Sequence, residues 1–348
     1  MNKIALAIHG GAGTILKSEM TPELERSHRS GLENALKAGW EILQKGGSSL
    51  DAVEAAVCSL EDFPHFNAGR GSVFTHEGKI ELDAAIMDGS RLRAGAVAFV
   101  RNIKNPVKLA RLVMERTEHV LLAGEGANHF AKELGVELEP DEYFFSEYRR
   151  QQLQEAMAAG KIQLDHTNES QIHGFKRTSD SQEGGFTPAL KNSAESGGKP
   201  PFPTASGRVE SVKPKGTVGA VACDVNGHLA AATSTGGMTN KKFGRVGDTP
   251  IIGSGTYADD TCAVSCTGHG EFFMLGVTAY DVAARMKYKG LSLGVAAQET
   301  IDHLTEIAGE GGFIAVDSKG NVVLPFNSEG MYRGHVTDGG EVRVDIYK

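Results

Sequence analysis

The chain has 348 residues, with 36 Lys plus Arg against 44 Asp plus Glu and a formal net charge of −8. That acidic balance, with no lysine-arginine stripe along any helical pattern, excludes nucleic acid as a partner, because phosphate neutralisation supplies most of such binding. No apolar run approaches the ~18 residues of a spanning helix, so no membrane partner is expected, and the length suits one large layered domain or two ordinary ones.

The opening "MNKIALAIHGGAG" predicts a first buried strand running into a glycine-rich turn at His9; its apolar run is too short for a secretion signal, so a cytoplasmic location is expected. Residues 22–45 carry apolar positions at helical spacing. A second helix follows, with Ser48 as N-cap and Asp51 three residues on. "GSVFT", "KIELDAAIMDG" and "LRAGAVAFV" read as extended segments joined by tight turns, hence antiparallel neighbours. "NPVKLARLVMERTE" predicts a helix capped by Asn105 with Pro106 in its first turn, and helical patterns continue to about Gly160.

Residues 161–216 differ: polar, rich in Gly, Ser and Pro, and without periodic apolar positions, they read as a flexible linker. Beyond them "TVGAVACD", Asn226-Gly227 and "HLAAATST" form a hairpin pattern, echoed by "GGFIAVD", "SKGN" and "VVLPFN". Between these lie a strand, "DDTCAVSCTG", and two helices, "EFFMLGVTAYDVAARMKY" and "SLGVAAQETIDHLTEIAG". Strands apolar on both faces need cover above and below. The expected fold is therefore α+β, with two stacked, mainly antiparallel sheets between helical layers, built as one domain from residues 1–160, the linker 161–216 and residues 217–348.

The glycine-rich "HGGAG" reads either as an oxyanion turn, for which no G-x-S-x-G partner exists, or as a strand-to-loop turn close to something important. No Walker or dinucleotide pattern appears. Cys262 and Cys266 lie on one face of a strand about 13 Å apart by rise, too far to share a zinc ion. With Cys58 and Cys223 they read as buried thiols in a reducing compartment. No cofactor for catalysis is expected.

The sharper candidate is Gly216-Thr217, where the polar run meets a strand. An N-terminal threonine can use its own α-amine, with a pKa of about 7.7–8.0, as the base for its hydroxyl. Freeing that amine requires cleavage after Gly216, whose backbone tolerates strain. An ordinary loop-to-strand boundary would look the same locally. Context distinguishes them: Ser234 and Thr235 end the paired strand, Arg245 and Asp248 stand three apart in a loop suited to the two charged groups of an amino acid, and Thr267 and Gly268 end another strand where an oxyanion could be held.

"HGGAG", "FNAGRGSVFT", "ELDAAIMDG", "GTVGAVACD", "ATSTGGMTNKKFGRVGD" and "CTGHGE" together resemble the plant-type L-asparaginase / isoaspartyl peptidase family of N-terminal nucleophile hydrolases, over nearly the whole chain outside residues 161–215. The resemblance implies an αββα sandwich, autoproteolysis between Gly216 and Thr217, and assembly of two αβ pairs as a heterotetramer. It makes Thr217 nucleophile and base, with Thr235 assisting. Arg245, Val246, Gly247 and Asp248 would bind the substrate's α-groups; Thr267 and Gly268 would form the oxyanion hole, the turn continuing through His269 and Gly270. A structural sodium ion would be held by backbone carbonyls of Leu60, Glu61, Phe63, Phe66, Ala68 and Arg70. His269 stands where the family pattern has a threonine. Implied substrates are isoaspartyl dipeptides and L-asparagine; the alternatives are a glycosylasparaginase, a taspase-like endopeptidase, or an unprocessed binding protein.

Overall fold

A computed structural model describes residues 3–160, 162 and 216–348 of the chain; the expected flexibility of 161–215 lies outside the described residues. Two sheets and a set of helices make a mixed α+β structure. The smaller, 4-stranded sheet has the order β10 (Val322–Val323), β9 (Gly311–Asp317), β8 (Cys262–Gly268), β7 (Thr256–Ala258); the larger, 8-stranded sheet has the order β12 (Arg343–Tyr347), β11 (Gly330–Thr337), β1 (Ala5–Gly13), β5 (Val218–Cys223), β6 (Leu229–Thr235), β2 (Leu82–Asp88), β3 (Arg93–Val100), β4 (Leu121–Ala123). Its central strands are β1 (Ala5–Gly13), β5 (Val218–Cys223) and β6 (Leu229–Thr235), so segments on both sides of residues 161–215 share one hydrogen-bonded ladder. Next to β6 lie β2 (Leu82–Asp88) and β3 (Arg93–Val100), antiparallel as the short connection requires.

The period-2 alternation of strands sorts side chains into separate cores. On β1, Leu6 and Ile8 pack with Leu32 and Leu36 of α1 (Pro22–Gln44) and Val53 and Val57 of α2 (Ser49–Glu61). Ala5 and Ala7 face the other way, meeting Ala263 of β8 (Cys262–Gly268) and Ile314 and Val316 of β9 (Gly311–Asp317). Alanines on that face let the two sheets approach closely. The far side of the smaller sheet presents Cys262, Val264, Cys266 and Phe313 to α8 (Thr278–Lys289) and α9 (Leu293–Glu306). Cys262 and Cys266 thus share one apolar face, and all four cysteines are free thiols.

Local signals place several boundaries. Thr21 Oγ1 accepts from the Leu24 N–H and Pro22 opens α1; Ser48 Oγ accepts from the Asp51 N–H at 3.1 Å. Elsewhere tertiary partners decide. Asn105 makes no side-chain cap on α3 (Pro106–Arg116); the buried Glu61 carboxylate accepts the Val107 N–H at 3.1 Å instead. "GSVFT" forms no strand, since Val73 donates its N–H to Asn67 Oδ1. The single helix expected over 271–288 is broken at Val277, with φ 46°, into α7 (Gly270–Gly276) and α8. The first N–H groups of α8 are claimed by outside carbonyls: Ala279 by Ser254 and Tyr280 by Gly253.

Candidate active site

Thr217 stands one residue before the β5 ladder, whose first pair is Val218 with Ser234. Its hydroxyl donates to Thr235 Oγ1 at 3.1 Å, and Thr235 Oγ1 also accepts the Gly237 N–H at 3.0 Å. Of the two hydroxyls at the end of β6, only Thr235 reaches the threonine; Ser234 points to the opposite face, where its buried hydroxyl faces the Glu61 carboxyl.

The "HGGAG" segment is not a turn after the strand but its continuation. β1 runs through Gly13 with a register shift between His9 and Gly11. Gly11, at φ 118°, brings the backbone against the junction: a Cβ there would lie 2.7 Å from the Gly216 nitrogen. One residue on, Ala12 donates its N–H to Thr267 Oγ1 at 3.2 Å, leaving that fully buried hydroxyl its own proton to donate. Ala12, Gly216, Thr217, Thr235 and Gly268 line a small cleft.

The same cleft has charged lining residues. Arg245, Gly247 and Asp248 line the cleft, while Val246 lies between them in the loop without lining it. Arg245 is not free: its Nε and Nη2 donate to the two carboxylate oxygens of Glu271, each at 2.9 Å. Burial alone would raise the Glu271 pKa, and the Arg245 bonds and charge outweigh it, leaving the carboxylate below its usual range. This bidentate grip aims the guanidinium and leaves Nη1 for an incoming anion. Asp248 is fully buried, and its Oδ2 has no partner among the described residues. Burial pushes its pKa up to about 7, against the opposing charge of Arg245. A buried acceptor without a donor is costly, and a ligand ammonium is the group that would satisfy it. Gly270 permits this arrangement, since a Cβ there would sit 2.7 Å from Asp248 Oδ1 and 2.9 Å from Arg245 Nη2. His269 lies beside the turn, edge-on to Phe272 with ring centroids 4.7 Å apart and Nε2 3.5 Å from Glu271 Oε2.

The segment 60–71 reaches the cleft through Asn67. Asn67, a cleft residue, donates from Nδ2 to the Gly237 carbonyl at 2.7 Å, and its own carbonyl accepts the Gly236 N–H. The loop's carbonyls turn inward: a Cβ on Gly71 would overlap the Phe66 oxygen and lie 2.7 Å from that of Pro64, and one on Gly69 would lie 2.5 Å from that of Glu61. The carbonyls of Phe66 and Ala68 each accept one loop N–H, leaving each a second lone pair, while that of Leu60 accepts from both Asp62 and Phe63. Such a crowded set of oxygens fits a hard cation better than any cluster of side chains would. Among the described residues no group of His, Cys, Asp or Glu is arranged to hold a metal ion.

Sequence reasoning assigned no role to His9, Ala12, Asn67, Met238, Thr249 or Glu271. Of these, His9, Ala12, Asn67 and Glu271 act through partners far away in the chain, and Met238 and Thr249 line the cleft.

A family model described as Asparaginase matches residues 2–346. The chain is 45% identical to an isoaspartyl peptidase of Salmonella typhimurium, with all of both chains covered. It is 44% identical to an isoaspartyl peptidase of Escherichia coli, over 100% of this chain and 97% of that one. A plant-type L-asparaginase of Pyrococcus abyssi is 41% identical, with 97% of each chain covered. With its full-length match and a threonine poised at a glycine junction beside a charged cleft, the chain belongs to this asparaginase family.

Proposed function

We propose that the protein is an autoprocessing hydrolase of β-aspartyl amide bonds, acting on isoaspartyl dipeptides and L-asparagine. In the continuous chain the Thr217 nitrogen is an amide and cannot serve as a base. Attack by Thr217 Oγ on the Gly216 carbonyl carbon breaks the peptide bond, leaves a Gly216 ester on the hydroxyl and frees the amine; water then hydrolyses the ester. The mature Thr217 Oγ, losing its proton to that amine, attacks the substrate's side-chain carbonyl carbon. Thr235 Oγ1 holds the hydroxyl, and the Gly268 N–H at the cleft, with the Thr267 hydroxyl beside it, would stabilise the developing oxyanion. The amine's proton passes to the departing nitrogen, giving a β-aspartyl-Thr217 ester, which water cleaves to release L-aspartate.

The observation that most supports this reading is the pairing of a buried Asp248 carboxylate, one oxygen of it unsatisfied among the described residues, with a clamped Arg245 in the same cleft as Thr217. Arg245 would take the substrate α-carboxylate and Asp248 its α-ammonium, so both α-groups must be free and the scissile bond must be at the β-carbonyl. An internal α-peptide bond of a folded protein has neither. A side-by-side assay tests this: β-aspartyl-leucine and L-asparagine are expected to be hydrolysed and GlcNAc-asparagine refused. Preferential cleavage of GlcNAc-asparagine or of a long peptide would move the protein to the glycosylasparaginase or taspase-like reading. Persistence of one unprocessed, inactive chain would leave the binding-protein reading.

Four further parts belong to the proposal. The three apolar cores, one between the sheets and one on each outer side, support a four-layer αββα sandwich. The assembly is an (αβ)2 heterotetramer, expected to have a native mass twice the 36.9 kDa of the chain. No described helix is long and apolar enough to cross a membrane, and four free thiols suit the cytoplasm. A structural sodium ion would sit among the carbonyls of Leu60, Glu61, Phe63, Phe66, Ala68 and Arg70, and would brace the loop that carries Asn67 without entering the chemistry. The melting temperature is then expected to be higher in sodium chloride than in choline chloride at equal ionic strength. Equal values would remove the ion from the account.

A further inference from the structure

Once freed, Thr217 has little left to hold it. It stands outside the β5 ladder, and cleavage removes the covalent restraint of Gly216. On its own main chain the remaining anchor is its carbonyl, which lies 3.0 Å from His9 Nδ1. A carbonyl oxygen only accepts, so Nδ1 carries the proton and donates. The ring is fully buried, and burial pushes its pKa down to about 3, so it is neutral and Nε2 presents a lone pair. Ser265 Oγ, 2.9 Å away on the facing sheet, donates to that lone pair. Behind it Thr233 Oγ1 lies 2.7 Å from Ser265 Oγ, and Thr256 Oγ1 donates to Thr233 Oγ1 at 2.7 Å, so Ser265 and Thr233 each have a donor at their backs.

The room for this pair is built into the strand that carries the nucleophile. A Cβ on Gly219 would overlap both Ser265 Oγ and His9 Nε2. The glycine of "TVGAVACD" is thus the vacancy into which the His9–Ser265 contact fits.

We infer that His9 is a positioning residue for the nucleophile. Ser265 and the hydroxyls behind it lock the Nδ1–H tautomer, and that N–H holds the Thr217 carbonyl while Thr235 holds its hydroxyl, so the terminal residue is fixed at both ends. The inference rests on the reading that Thr217 becomes a chain terminus. His9 does not line the cleft, so it acts on the attack step and not on substrate capture.

The test is steady-state kinetics on β-aspartyl-leucine for three proteins: unmodified, His9→Ala and His9→Asn. Asparagine places an amide N–H where Nδ1–H stands. H9A is expected to cleave at Gly216, keep its KM, and lose about a hundredfold in kcat, as a nucleophile displaced by ~1 Å does; H9N is expected to recover most of the kcat. An H9A kcat equal to that of the unmodified enzyme, or an equal loss in H9N and H9A, overturns the inference. If the unmodified protein has no such activity, the functional reading fails instead. Nitrogen-15 NMR of the histidines decides independently of activity and of how well H9A folds. The signal that disappears in H9N should report a neutral Nδ1–H tautomer that does not titrate between about pH 5 and 9. An Nε2–H tautomer, or titration in that range, overturns it.

Discussion

Thr217→Ala is expected to abolish hydrolysis of β-aspartyl-leucine by at least about 10⁴-fold and to leave the chain uncut, because one hydroxyl serves both reactions. No neighbour can replace it. Thr235 Oγ1 accepts from Thr217 and from the Gly237 N–H, and its chain position gives it no adjacent free amine. Thr217→Ser keeps the hydroxyl and the future amine and is expected to process and turn over, more slowly, because serine lacks the methyl group that restricts the threonine rotamer. Thr217→Val keeps the shape and removes the oxygen, so it should behave as the alanine variant does. Rates on the dipeptide together with denaturing electrophoresis check all three. A cut, active T217V would place the nucleophile elsewhere.

Asp248→Asn is expected to cost on the order of 10²-fold or more in kcat/KM, since a desolvated ammonium would lose its counter-charge. The pH profile separates this group from the amine. The Asp248 pKa, raised by burial to about 7, means that the free enzyme holds it protonated in mild acid. Substrate needs the carboxylate, so kcat/KM should fall as pH drops below about 7. The Thr217 amine, ordinarily at about 7.7–8.0, must also be neutral. Two protons then act on the acid limb, and D248N should reduce its limiting slope from two to one. The same shift has a stability cost of known sign. A carboxyl whose folded pKa is raised favours the folded state at low pH, and that contribution is lost as pH rises from 3.8 towards about 7. D248N should therefore melt higher than the native protein at pH 8, with the difference shrinking at pH 4. A D248N slope still at two would assign the second proton to another group.

Much of this site was legible because its chemistry is written in short runs. Thr217 behind a glycine, Arg245 with Asp248, and Thr267-Gly268 at a strand end are local patterns, and the structure brings Thr217, Arg245, Asp248 and Gly268 to one cleft, with Thr267 buried behind it against the Ala12 N–H. Ser48, Pro22 and the alternation on β1 were legible for the same reason, since caps and side-chain period depend on near neighbours. What stayed hidden depends on partners distant in the chain. Glu61 capping α3 replaces the nearer Asn105 because a buried carboxylate happens to face that N-terminus. The break at Val277 follows from carbonyls of Gly253 and Ser254, which no helical pattern reveals. The glycines of "HGGAG" suggested a turn, but they extend a strand and clear space for Gly216. Arg245 looked available for substrate, yet it is aimed by Glu271, 26 residues on.

The central claim is that Thr217 becomes a chain terminus, and intact-mass spectrometry with N-terminal sequencing of the purified protein tests it most directly. Two fragments are expected in place of the 36.9 kDa chain, one of them beginning Thr-Val-Gly-Ala. A single full-length mass after prolonged incubation, or a new terminus at any other residue with full activity, would contradict it.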